Sequence, residues 1–97
     1  MIIVHDIFVC KPGNASKLAK LFKEVMQDND NTVNIMTDMT GQYNRVVMVS
    51  QYENLTDYDK SWEKYKQDTE EMKKMNEKMK GYTDMYISGS REIYQVW

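Results

Sequence analysis

"IIVHDIFVCKPG", residues 2–13, begins with nine residues rich in β-branched and aromatic side chains and ends in a proline and a glycine. This composition predicts a β-strand that stops at the Pro-Gly pair, because proline and glycine interrupt strands. Successive side chains of a strand point to opposite faces, and here both faces are largely apolar. Such a strand belongs to a sheet that is covered by helices on one face and by another layer on the other.

The segment that follows predicts a helix and then two strands. Apolar residues recur at helical spacing after Gly13, Asn14 or Ser16 can cap the helix, and the polar stretch "QDNDN" ends it. Strands are predicted at about residues 32–40 and 45–52, joined by a hairpin turn at "GQYN".

A second helix and a final strand complete the chain. Thr56 is the predicted N-cap and Gly81 the predicted left-handed stop, which gives a helix of roughly 24 residues, or about 36 Å. Because this is long for a small domain, a bend or break is expected near Asp68 and Thr69. The last strand, at about residues 84–97, contains a glycine that permits a bulge or the close approach of another chain.

The order strand, helix, strand, strand, helix, strand predicts an α+β, ferredoxin-like βαββαβ fold over residues 1–97 as one domain. Four antiparallel strands carry two helices on one face in this arrangement. The other face presents apolar side chains, so we expect it to pack against the sheet of a second copy as a homodimer.

Composition limits the classes of partner. The chain has 13 basic and 15 acidic residues, interleaved along the sequence, so it offers no basic surface for nucleic acid. Its apolar runs are too short to span a membrane, and its single cysteine cannot form an intramolecular disulfide. The first residues lack a basic leader and a cleavage site, which favours a cytoplasmic protein.

Two stretches carry a resemblance to a known superfamily. "KPG" directly follows the first strand, and "YENLTDYDKSWEKYKQD", residues 52–68, joins a strand that ends in Tyr-Glu to a capped helix with a central tryptophan. With the element order, they make the chain resemble the dimeric α/β-barrel superfamily, in particular its NIPSNAP-type and antibiotic-biosynthesis-monooxygenase-type members.

The resemblance implies a fold more firmly than a chemistry, because the superfamily includes oxygenases, isomerases, haem-degrading enzymes and members without known activity. Haem-degrading members ligate iron through a histidine on the second helix, and residues 55–80 contain none. One histidine and one cysteine also cannot supply the usual zinc ligands. We therefore expect neither a cofactor nor a metal.

His5, the only histidine, is the best catalytic candidate. In the superfamily the helix-facing side of the first strand lines the ligand pocket, so His5 could act there as a general base or hydrogen-bond a ligand if it lies on that side. The alternative is a hydrogen-bonded core or interface residue. Asp6 is expected on the opposite face, toward the dimer interface, paired with Arg45 or Arg91.

Tyr58, Trp62 and Tyr65 share one face of the second helix at helical spacing. Such an aromatic stripe is typical of a core, but its hydroxyl and indole groups need polar partners, which a ligand pocket beneath the helix would supply. The predicted ligand-binding residues are His5, Tyr52, Tyr58, Trp62, Tyr65 and Tyr86.

Met72, Met75 and Met79 continue this stripe, where flexible thioethers fill space against the sheet or around a ligand. A Cu(I) site is the alternative, although copper-binding methionines usually come with cysteine or histidine.

Three functions remain open at this stage. The chain is a homodimer that binds a small apolar or aromatic molecule between sheet and helices, a cofactor-independent enzyme resembling monooxygenases or isomerases, or a structural and interaction module without a ligand. A cavity beneath the second helix distinguishes the first two from the third.

Overall fold

A computed structural model describes residues 1–39 and 43–97. The four strands are β1 (Ile2–Cys10), β2 (Thr32–Thr37), β3 (Arg45–Tyr52) and β4 (Tyr86–Gln95). They form one antiparallel sheet in the order β2-β3-β1-β4. The predicted ferredoxin-like fold is confirmed. None of the helices in the described ranges is long and apolar enough to cross a membrane.

The predicted first helix is α1 (Ala15–Val25), with Asn14 at its N-cap. Leu18 and Phe22 project from it onto the sheet and are buried against Cys10 and Val46. The Phe8 ring joins them, with its centroid 5.1 Å from that of Phe22. The core therefore lies on the β1 face that carries the even-numbered residues, and the helices cover this face.

The predicted second helix is divided where a break was expected. It comprises α2 (Leu55–Ser61), a 3-10 turn (Glu63–Lys66) and α3 (Glu70–Lys78). Gln67 is extended, and the Thr69 hydroxyl accepts a hydrogen bond from the Met72 N–H at 3.2 Å, which starts a new helix.

The N-cap of α2 is Asn54, so the prediction of Thr56 was wrong. Asn54 has an extended backbone, and its side-chain carbonyl accepts a hydrogen bond from the Asp57 N–H at 2.8 Å. Gly81 does end the helical region in the left-handed conformation, at φ 84°.

The strand ends differ from the predictions by a few residues. β2 stops at Thr37, and the predicted hairpin turn falls partly on residues 40–42, outside the described residues. β4 starts two residues late because Asp84 belongs to a 3-10 turn, Tyr82–Asp84. The irregularity in its pairing with β1 lies between Val9 and Cys10, close to but not at the predicted Gly89.

Truncating Leu18 tests the placement of the core. Its side chain is fully buried, so we expect Leu18→Ala to lower the free energy of unfolding by about 2–5 kcal/mol through lost burial and a residual cavity. Urea denaturation measures the change. Lys17→Ala, on the exposed side of the same helix, is the control and should change it by less than about 0.5 kcal/mol. Equal effects would contradict the assignment of the core face.

Candidate functional site

A cleft of about 210 Å³ lies between the helix-facing side of the sheet and the divided helical region. It is larger than the roughly 150 Å³ apolar cavity that suffices to bind benzene. Its lining is mostly aromatic and apolar, with a few hydroxyl and amide groups: Asp6, Val25, Met26, Asn29, Thr32, Met48, Ser50, Tyr52, Tyr58, Ser61, Trp62, Tyr65, Met75, Asn76, Met79 and Tyr82. Such concave, largely apolar spaces with a few polar groups are typical of small-molecule sites.

Four aromatic residues form a continuous row along one wall of the cleft. The ring centroids of Tyr52 and Tyr58 are 5.1 Å apart, those of Tyr58 and Trp62 6.1 Å, and those of Trp62 and Tyr65 5.7 Å. The helical spacing in α2 and the following 3-10 turn places three of these rings on one side, and the end of β3 supplies Tyr52. These four predicted site residues therefore come together.

Methionines form much of the rest of the apolar wall. Met26, Met48, Met75 and Met79 line the cleft, and the Tyr65 hydroxyl contacts the Met26 sulfur at 3.9 Å. Met75 of α3 and Met79 at its C-cap thus extend the aromatic row, as expected from the sequence, whereas Met72 is buried and does not line the cleft. Thioether side chains adapt readily to the shape of a neighbour, so this wall can adjust to a ligand.

Asp6 also lines the cleft, so its predicted place on the opposite face was wrong. Alternate residues of a strand share a face, so Asp6 lies on the same face of β1 as Phe8 and Cys10, which pack under α1. The predicted partner Arg91 lies directly across from it on β4, and the Arg91 Nε donates a hydrogen bond to the Asp6 Oδ1 at 2.6 Å. Both faces of β1 are largely apolar in the sequence, so the alternation of its side chains did not identify this face.

His5 is an odd-numbered residue of β1 and therefore lies on the sheet face opposite the helices. It pairs with Val49 and Glu92, and its ring meets that of Tyr94 edge-on at a centroid distance of 5.3 Å. A catalytic role for His5 in the cleft required its side chain to lie on the helix-facing side of the sheet. In this structure it lies on the opposite side.

Tyr86 also lies away from the cleft lining. Its ring packs at centroid distances of 5.1 Å from Phe8 and 5.9 Å from Tyr82, in the core beneath α1. The cleft thus contains Tyr52, Tyr58, Trp62 and Tyr65 of the predicted set, and the others belong to the sheet interior and its open face.

The Tyr58 hydroxyl is buried and has no hydrogen-bond partner among the described residues. Burial raises the pKa of Tyr58, while the nearby Arg91 cation acts in the opposite direction. The Trp62 indole also lowers this pKa slightly, although it does not reach hydrogen-bond geometry. The phenol therefore stays neutral to higher pH than a free tyrosine, as a potential hydrogen-bond donor without an acceptor.

Arg91 lies over the two middle rings of the aromatic row. Its guanidinium carbon lies 5.0 Å from the ring centroid of Trp62 and 5.8 Å from that of Tyr58. Burial lowers the pKa of Arg91, but the hydrogen bond and charge of Asp6 outweigh this effect and raise it. Arg91 is thus a fixed cation held between a carboxylate and two aromatic faces.

A neighbouring groove of about 240 Å³ shares Val25, Met26, Asn29 and Met75 with the cleft but has a more charged lining. Within it, the Lys78 Nζ and Glu24 Oε1 are 3.2 Å apart and largely exposed. Solvated surface pairs of this kind are typical of a polar surface groove. The aromatic cleft is therefore the better candidate site. Residues 1–39 and 43–97 contain no cluster of three or more histidine, cysteine or acidic side chains that could hold a metal ion.

The NIPSNAP family model matches residues 6–86, from Asp6 in the cleft to the start of β4. The chain belongs to the NIPSNAP family. The match covers the entire divided helical region and every residue that lines the cleft. No curated protein matches the chain significantly.

Solved structures of other NIPSNAP proteins share the fold. An uncharacterized NIPSNAP domain protein from Burkholderia xenovorans is 10% identical with a TM-score of 0.79, and the match covers 100% of this chain and 95% of that one. A NIPSNAP family protein of unknown function from Agrobacterium tumefaciens is 14% identical with a TM-score of 0.75, over 97% and 86% of the two chains.

An antibiotic biosynthesis monooxygenase is 11% identical with a TM-score of 0.61, over 100% of this chain and 99% of that one. At these identities the likeness concerns the fold, as the sequence resemblance to both groups implied.

Replacing Tyr58 by phenylalanine tests the unpaired hydroxyl. Removing a buried hydroxyl that has no partner should leave the free energy of unfolding unchanged or raise it by up to about 1 kcal/mol. The raised folded pKa also means that stability falls as pH rises above the unfolded value of about 10, because the unfolded state loses its proton first. Tyr58→Phe should reduce this fall.

Urea denaturation at pH 7 and at about pH 10.5 measures both effects. Tyr43→Phe is the control, since Tyr43 is exposed and should change neither. A loss of stability above 1 kcal/mol at pH 7 in Tyr58→Phe would show that the hydroxyl has a partner.

Proposed function

We propose that this NIPSNAP protein binds a small apolar or aromatic molecule in the cleft between its sheet and its divided helical region. The observation that supports this proposal is an open cleft of about 210 Å³ lined by a row of aromatic rings and four methionines. Concave spaces lined mainly by apolar and aromatic side chains, with a few polar groups, are typical of small-molecule sites.

The cleft supports binding better than catalysis. Asp6, the one carboxylate among the described residues that line it, is engaged by Arg91, and His5, the candidate base, lies on the other face of the sheet. The Tyr58 hydroxyl is a donor that could orient a ligand oxygen, which is a binding role. A cofactor-independent reaction remains the second candidate function, favoured by the raised pKa of this hydroxyl and by the fold shared with a monooxygenase.

We further propose that the protein acts as a homodimer through the sheet face opposite the helices. This face carries Ile3, Ile7 and Val47, none fully buried, and the exposed Met36 and Tyr94. Apolar side chains on a flat surface favour burial against a second copy, at about 25 cal/mol per Å² removed from water. In such a dimer the two clefts remain on the outer, helical sides.

A cytoplasmic location completes the proposal. Cys10 is a free, buried cysteine, and burial raises the pKa of its thiol, so it remains protonated and unreactive. A free buried thiol of this kind suits a reducing compartment.

Fluorescence of Trp62 tests ligand binding directly. Trp97 is fully exposed, so Trp97→Phe leaves Trp62 in the cleft as the only tryptophan. We expect saturable quenching or a spectral shift when 1-naphthol is added to this variant, because an aromatic guest would contact the indole.

A second change fills the cleft and should abolish the signal. Ser50 is buried and lines the cleft, so Ser50→Phe in the same background should remove binding. Ser16→Phe, on the exposed side of α1, is the matched control and should bind as before. Binding that survives Ser50→Phe would place the ligand elsewhere, and no binding in the parent would count against the proposal.

A charge on the open sheet face tests the dimer. Ile7→Glu should convert a dimer into a folded monomer, since two buried carboxylates at a symmetric interface are costly to desolvate. Sedimentation equilibrium gives the mass, and circular dichroism confirms folding. Lys20→Glu, on the exposed side of α1, should remain dimeric. A monomeric parent protein would contradict the dimer.

A further inference from the structure

The described residues that line the cleft carry negative charge and no positive charge. Asp6 is the only charged side chain among the described residues that line it, and its side chain is only 13% exposed. The aromatic rings and thioethers around it present electron-rich surfaces. An anionic group in the cleft would meet this carboxylate without a basic side chain on the lining.

A cationic group, the guanidinium of Arg91, already contacts both Asp6 and the aromatic row. Arg91 approaches from a separate outer groove that it forms with Asp59, Trp62, Glu63 and Lys66. Its guanidinium bonds to the Asp6 Oδ1 at 2.6 Å and lies over the rings of Trp62 and Tyr58, at 5.0 and 5.8 Å from their centroids. These distances fall within the range of cation–π attraction, about 6 Å.

The carboxylate has capacity for a second donor. An ionised carboxylate accepts about four hydrogen bonds, and Arg91 Nε supplies the one that reaches Asp6 from the described side chains. On the cleft side, Tyr52, Tyr58, Trp62 and Tyr65 offer further ring surface. A cation that entered the cleft would therefore meet the same two features that hold Arg91.

We infer that the cleft selects ligands with a cationic nitrogen, a protonated amine or a quaternary ammonium group, on an apolar or aromatic body. The inference rests on the proposed ligand-binding function and names the ligand class of the same site. The cation lies between Asp6 and the aromatic row, and the body contacts the methionines of α3 and the sheet. Arg91, which bonds to Asp6 from the outer groove, competes with the ligand cation for the charge of the carboxylate and repels that cation.

Three probes of matched size separate charge from shape. Phenyltrimethylammonium and tert-butylbenzene have the same shape and differ in one positive charge, and benzoate carries the opposite charge. We expect the ammonium to bind the Trp97→Phe protein at least about tenfold more tightly than tert-butylbenzene, a difference within the range of desolvated cation–π and ionic contacts. Benzoate should bind most weakly, and added salt should weaken only the ammonium.

Two substitutions should shift the ammonium affinity in opposite directions. Asp6→Asn removes the carboxylate and should lower the affinity about tenfold, while Arg91→Gln removes the competing cation and should raise it several-fold. Neither should change the affinity for tert-butylbenzene by more than about twofold. Asp59→Asn, in the outer groove, is the control for the general effect of a lost negative charge and should have little effect.

Thermal denaturation of each variant sets a temperature at which all are folded. If the ion pair only supports the structure, both substitutions will change the ammonium affinity in the same direction, and the inference is overturned. Equal affinities for the ammonium and its neutral isostere would also overturn it, while leaving the proposed function intact. If none of the three probes and no 1-naphthol binds, both fail.

Discussion

The position of β1 between β3 and β4 is the constraint on which the rest of the structure depends. Its pairing with both neighbours fixes the register of the sheet, and the alternation of its side chains assigns each residue to one face. Phe8 and Cys10 lie under α1. This choice also places Asp6 in the cleft and His5 on the open face, because a strand cannot present neighbouring residues on the same side.

The division of the second helical region gives the cleft two separate walls. A continuous helix would run straight over the sheet, whereas the extended Gln67 and the Thr69 cap separate α2 from α3. The two helices then form different walls of one cleft, the first aromatic and the second rich in methionine. Arg91 of β4 bonds to Asp6 of β1 and lies over the rings of Tyr58 and Trp62, so its side chain joins the sheet to the helical layer.

In the proposed function, one face of the sheet binds the ligand and the other forms the dimer. The helix-facing side combines a small core beneath α1 with the cleft beneath α2 and α3. The open side carries apolar residues of the central strands and the His5–Tyr94 contact. A dimer would bury the open side and leave ligand access to the other, so that assembly and binding need not compete for the same surface.

The sequence by itself determined the order of the elements, the family resemblance and the aromatic row, because these depend on local spacing, turn residues and capping groups. It also indicated the break near Thr69 and limited the expected partner of Asp6 to Arg45 or Arg91, of which the structure has Arg91. Only the tertiary structure decided which face of β1 the helices cover. Both faces are apolar, so the alternation alone could not distinguish them, and the roles of His5 and Asp6 depended on that choice. Tyr86 likewise belongs to the core instead of the cleft, because the register of β4 sets it opposite Cys10 and its ring packs against that of Phe8. Such long-range packing has no signature in the local sequence.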